Sequence, residues 1–190
     1  MKKWWILLAL LLLPVTAWAG GLKLDNAMSV VSFVSVKKAS VGEVHHFTRI
    51  SGKADAHQAS VRIDLASVDT GIDIRNQRMR SMLFDVARFP SATIRADIAA
   101  LDVQRLKPGG HVTGALTLHV DLHGVSKSLP ATVTVVRLGD GGLLVSSRAP
   151  IIVNAADFGL EKGIEALRQV AKLPSIATAV PVSFELYFSP

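Results

Sequence analysis

The chain holds six histidines and no cysteine, so metal or covalent chemistry would have to be built from imidazoles, carboxylates and hydroxyls. His119 and His123 stand four residues apart in "HVTGALTLHVDLHG", a metal-pair spacing on a helix. On an extended strand, however, four residues span about 13 Å, too far for both rings to reach one ion. His45 and His46 are adjacent and would point to opposite strand faces. Nucleophilic catalysis lacks its usual marks, since there is no G-x-S-x-G elbow and no thiol. "GDGG" at Gly139–Gly142 reads as a hairpin turn, because neither a Lys-Ser/Thr pair nor a helix follows it. The composition therefore predicts no metal and no catalytic residue.

Charge removes a further class. The formal net charge is +6, spread along the chain and not gathered into the basic, aromatic-lined groove that nucleic acid binding needs. Lys2 and Lys3 precede an apolar run from Trp4 to Leu13, and Ala17-Trp18-Ala19 supplies small residues for cleavage. Residues 1–19 thus read as a secretory signal peptide and not a membrane span, which needs roughly 20 apolar residues. The chain is therefore expected to be exported, with cleavage after Ala19 leaving a single domain over 20–190. Without Lys2 and Lys3 the formal charge falls from +6 to +4. With no cysteine, disulfides are unavailable, and stability has to come from burial and sheet pairing.

The elements that would position any site are strands. Val112, Gly114, Leu116, Leu118, Val120 and Leu122 alternate with Thr113, Ala115, Thr117, His119, Asp121 and His123, a period of two with one apolar face. The same alternation recurs at Val61-Ile63-Leu65, Ile94-Ala96-Ile98 and Val182-Phe184-Leu186-Phe188. "KPGG" at Lys107–Gly110 and "GDGG" predict hairpins between antiparallel strands. Only about Ile72–Leu83 and Lys162–Lys172 read as helical, so the pattern predicts an all-β domain: one sheet closed on itself, or two face to face. In "SVDTGIDIRNQRMRSMLFDVARFP", Thr70 and Asp73 have the spacing of a capping box. Ile72, Met79, Met82, Leu83 and Val86 form an apolar stripe, with Arg75, Arg78 and Arg80 largely on the solvated side. Arg88-Phe89-Pro90 ends the helix.

That stretch carries a resemblance. "DLASVDTG…R" followed by "FDVARFP" is similar to the YceI-like family of exported lipid-binding proteins, and "SVVSF", "FTRISG", "GALTL", "HGVSK" and "DFGL" match in the family's order. Differences from the family pattern are Lys37 in place of a frequent histidine and His45 in place of a usual glycine. The segment between Ser81 and Asp85 is one residue short, and the Gly114–Gly124 interval is four longer, which preserves strand parity.

The resemblance implies a closed, lipocalin-like antiparallel β-barrel of about eight strands with one or two short helices, located in the periplasm. Its interior would hold a long apolar lipid: a polyisoprenoid, an isoprenoid quinone or precursor, or a fatty amide. Matched apolar positions expected to face the cavity are Val31, Phe33, Phe47, Phe84, Phe89, Leu116, Leu118 and Phe158. Strand parity adds Ile63, Leu65, Ile94, Val120, Leu122, Phe184 and Leu186. Met79, Met82 and Leu83 would close one end, and Arg75, His45 or His46 would supply a polar group at the mouth. The expected function is sequestration of one isoprenoid-like lipid by a carrier, with no other cofactor and no covalent catalysis. Two other readings stay open: an enzyme or redox accessory acting on a quinone-like lipid, and a barrel filled by its own side chains. Expected partners are the lipid and a transiently contacted membrane, the chain being a monomer or homodimer.

Overall fold

A computed structural model describes residues 21–190; the signal-peptide expectation lies outside them. Twelve strand segments follow one another along the chain: β1 Leu22–Leu24, β2 Val30–Lys37, β3 Val41–Phe47, β4 Ile50–Ala54, β5 Gln58–Asp64, β6 Val68–Asp69, β7 Ser91–Asp97, β8 His111–Leu122, β9 Val125–Arg137, β10 Leu143–Ser147, β11 Ile151–Asn154 and β12 Ala179–Ser189. Helix α1 (Asp73–Arg78) runs into a π-helical turn at Met79–Leu83, and α2 (Glu161–Val170) precedes the last strand. All pairings among the named strands are antiparallel.

The twelve segments form eight staves, because β1 with β2, β3 with β4, β5 with β6, and β10 with β11 are each one strand interrupted by a bend. Neighbours along the chain pair around the wall, and β12 closes it by pairing β2 (Val182↔Phe33) and β1 (Lys23↔Ser189). Closure requires strands to tilt and bend, and side chains fill the resulting gaps in the ladder. Asn26 Nδ2 donates to the Thr48 carbonyl, and its Oδ1 accepts from the Ile50 amide at 2.6 Å. Ser67 Oγ accepts from the Arg49 amide and donates to the Asp64 carbonyl at 2.6 Å. These bonds stitch three adjacent bends where backbone pairing lapses, as buried backbone groups require.

The two-residue periodicity decides which side faces inward. Along β8 the residues from Leu116 to Leu122 on the apolar side face the interior, while His119 and Asp121 stand outside; there Arg95 pairs with Asp121 at 2.6 Å and Ser128 bonds His119. Two local expectations fail. "KPGG" is no hairpin loop: β7 and β8 are separated by short 3₁₀ turns at Ala99–Leu101 and Val103–Arg105, and Lys107–Gly110 is the bend that starts β8. "GDGG" does join the hairpin of β9 and β10.

The capping box is not made either. Gly71 takes a left-handed turn (φ +71°), Ile72 becomes the N-cap, and no side chain caps α1. Thr70 instead donates through its hydroxyl and its amide to Asn76 Oδ1, at 2.6 and 2.8 Å. Asn76 thus ties the helix back to the end of β6.

Candidate apolar cavity and its polar margin

The eight staves enclose a cavity of about 240 Å³, and every side chain lining it is Ala, Val, Leu, Ile or Phe. An apolar cavity of roughly 150 Å³ stays dry and takes up benzene. By the same proportion, this one accommodates about ten carbons, so a longer chain needs some part of the wall or an end to move.

Of the residues expected to line the cavity, cover its end or supply its polar mouth, Val31, Phe33, Phe47, Ile63, Leu65, Leu83, Phe84, Ile94, Leu116, Leu118 and Phe184 are on the lining, as are Val120, Leu122 and Leu186. Five lie elsewhere. Phe158 is fully buried in the 3₁₀ turn Ala155–Phe158, where its carbonyl meets His123 Nδ1 at 3.3 Å, and it packs behind the cavity wall. Phe89 packs against His123 with ring centroids 4.4 Å apart and planes tilted by 51°, at the hairpin linking β8 to β9. Met79 is core but not lining, and Met82 is 37% exposed. The turn here is π-helical, closed by a wider i+5 bond (Phe84 amide to Met79 carbonyl, 2.9 Å) that shifts helical phase by about one residue, and Leu83 and Phe84 line the cavity while Met82 does not.

Arg75 is the fifth. Its guanidinium donates to Glu43 at 2.9 Å and to the Thr70 carbonyl at 2.6 Å, which pins α1 over the ends of β2 and β3 and leaves Arg75 outside the apolar lining. Lys37 also pairs with Glu43, at 2.7 Å. These hydrogen bonds, Lys37 first, hold the Glu43 carboxyl below its ordinary value. His45 is 2% exposed with Nε2 bonded to Ser35 Oγ at 2.8 Å, whereas His46 faces outward beside Asp69. Burial, with Arg75 adding to it, lowers the His45 pKa and favours the neutral ring.

Sequence reasoning did not find the residues that plug the ends. Leu160 and Ile164 reach the cavity from the start of α2 and its first turns, beside Leu83. Gly163 makes this approach possible: a Cβ there would sit 2.7 Å from the Met82 carbonyl oxygen. At the opposite end Leu101 and Val103 enter from the 3₁₀ turns, and the buried Arg137 side chain holds that segment by donating to the Val103 carbonyl at 2.8 Å. The signal available was the apolar spacing of Leu160, Ile164 and Leu167, which marks a buried face without saying what it covers. Among the described residues no group of three or more His, Cys, Asp or Glu side chains converges as a metal site would.

Fold and interior together define a closed antiparallel β-barrel around an apolar cavity. The chain belongs to the YceI-like family, whose domain model matches residues 22–188. A polyisoprenoid binding domain from Saccharophagus degradans, implicated in plant cell wall breakdown, superposes with a TM-score of 0.85 at 40% identity, over 88% of this chain and 97% of that one. BcnA of Burkholderia cenocepacia gives 0.67 at 23% identity, over 86% and 98%. The Campylobacter jejuni YCEI protein gives 0.54 at 16%, over 77% and 84%. The last two likenesses speak for the fold alone. No curated protein matches the chain.

Proposed function

We propose that this protein is a periplasmic carrier that sequesters one long apolar lipid, of the polyisoprenoid, isoprenoid-quinone or fatty-amide kind, in its barrel. The observation that carries the reading is the lining: a cavity of about 240 Å³ with no polar side chain on its wall. The 40% identical Saccharophagus domain, named for polyisoprenoid binding, supports the choice of ligand class. At about 0.8 kcal/mol per buried CH₂, ten carbons supply roughly 8 kcal/mol, near micromolar affinity before ordering costs are subtracted. Apolar burial therefore provides affinity without distinguishing one prenyl chain from another. No lining side chain exchanges a proton, which supports binding without covalent chemistry. Exposed Ile72, the N-cap of α1, and Ile74 in its first turn suit brief contact with a lipid surface.

Native mass spectrometry of the protein taken from the periplasm of its own host tests this directly. The expected spectrum shows a chain starting at Gly20 and carrying the mass of one apolar lipid. A chain of that mass with nothing bound under gentle conditions overturns the carrier reading, and a host whose periplasmic fraction lacks the chain overturns the location.

A further inference from the structure

On the inward face of β2 and β3, the lining changes character within two residues. Phe33 and Phe47 line the cavity. Toward α1 the next inward side chains are His45, opposite Phe33, then the facing pair Ser35 and Glu43, then Lys37. The His45 ring lies 5.2 Å from the Phe33 ring, so one aromatic divides the imidazole from the cavity.

His45 is almost wholly buried, yet its Nδ1 has no hydrogen-bond partner. A neutral imidazole carries one N–H. If Ser35 donates to Nε2, then Nδ1 is an unused donor; if Nε2 donates to Ser35, then Nδ1 is an unused acceptor. Either tautomer leaves one bond unmade in a place where leaving it unmade costs stability. Only two other buried side-chain polar atoms among the described residues lack a partner, Arg75 Nε and Arg80 Nε, and both belong to the helical cover over this end. Both are N–H donors, so an oxygen suits them as it suits the ring.

The charge on that oxygen is restricted by its neighbours. Glu43 already occupies the next inward position and engages both Lys37 and Arg75, so a second anion would lie beside a carboxylate whose two cations are in use. Burial also keeps the ring neutral. The geometry points to His45 as the hydrogen-bond partner of a single neutral oxygen, hydroxyl or carbonyl, at the head of the apolar chain that fills the cavity. The chain lies on the Phe33 side of the ring pair and the head on the His45 side. This assignment rests on the carrier reading above and names the class of lipid it selects.

Three ligands of one chain length separate the outcomes: farnesol, β-farnesene, which lacks the oxygen, and farnesoic acid. Affinities are measured at pH 7.5 by displacement of a fluorescent apolar probe, for the native protein and for His45→Phe. The native protein is expected to bind farnesol about tenfold more tightly than β-farnesene. His45→Phe loses that preference, its affinities for farnesol and β-farnesene becoming equal. A preference that survives the substitution, or a native protein that binds farnesoic acid more tightly than farnesol, overturns the assignment. If the native protein binds neither farnesol nor β-farnesene, the carrier reading itself fails. Should His45→Phe not fold, ¹⁵N ring resonances of the native protein decide: His45 Nδ1 shifts on adding farnesol and stays put with β-farnesene, and no shift with bound farnesol overturns the assignment.

Discussion

Two helices cover the same end of the barrel by opposite means. Helix α2 presses Gly163 onto the backbone at Met82 and Leu83 and lowers Leu160 and Ile164 into the cavity. Helix α1 buries Asn76 but leaves Ile72 and Ile74 about half exposed, and it is tied down by the Asn76 bonds to Thr70 and the Arg75 bonds to Glu43 and Thr70. Lifting α2 would bring apolar surface into water at about 25 cal/mol per Å². Lifting α1 exchanges hydrogen bonds for bonds to water, at only about 0.5–1.5 kcal/mol each. The two covers thus differ in what holds them, apolar burial for α2 and hydrogen bonds for α1, and the hydrogen-bonded one lies above His45.

A charge placed on each helix, at its apolar residue, should test this comparison most visibly. Ile164→Asp puts a carboxylate into the dry cavity and should cost about 3–5 kcal/mol, lowering Tm by roughly 10 °C or preventing folding. Ile74→Asp, on the exposed side of α1, should stay within about 0.5 kcal/mol of the native protein. Equal losses in thermal melts would mean that both helices are packed alike.

A smaller effect is expected from untying α1. Arg75→Ala removes the bonds to Glu43 and the Thr70 carbonyl, and should cost about 1 kcal/mol in a urea melt while accelerating release of a bound fluorescent fatty chain several-fold. Met82→Ala should leave release unchanged, because Met82 lies outside the lining.

The smallest expected effect is that of pH. His45 is lowered chiefly by burial, so its contribution is complete above the ordinary histidine value of about 6.5 and is lost as pH falls through the lower folded value. Glu43, also lowered, acts in the same direction, its contribution being lost as pH falls below the ordinary range for glutamate. The charged and titratable groups around the ring are Arg75, Glu43, Lys37 and His46. Acid should therefore weaken the α1 side first, lowering Tm by a few degrees between pH 7 and 5. His45→Phe should flatten part of that slope, and an unchanged slope would place the sensitivity elsewhere.

Much of the barrel was legible in its sequence, because a wall with one dry face imposes a period of two on every stave. Leu116, Leu118, Val120 and Leu122 show this most plainly. The bends were not legible: Asn26 and Ser67 look like ordinary loop residues until the ladder gaps they fill are known. The resemblance carried Phe158 and Phe89 to the cavity as well, but they sit in a 3₁₀ turn and a loop, where no strand alternation aims a side chain inward. For Met79, Met82 and Leu83 the apolar stripe was real, but the π turn changed which of them faces inward.

The closing seam also sets an order of events in time. Seven of the eight seams join staves that follow one another along the chain, whereas the eighth joins Val182 to Phe33, roughly 150 residues apart, across nearly the whole chain. Contacts so distant carry the largest loop-closure cost and form slowly. Until β12 docks, the apolar interior is an open trough with two pairing edges exposed. Docking of the last strand is thus expected to be slow, and any chain that has not yet made that seam would present two unpaired edges to its neighbours.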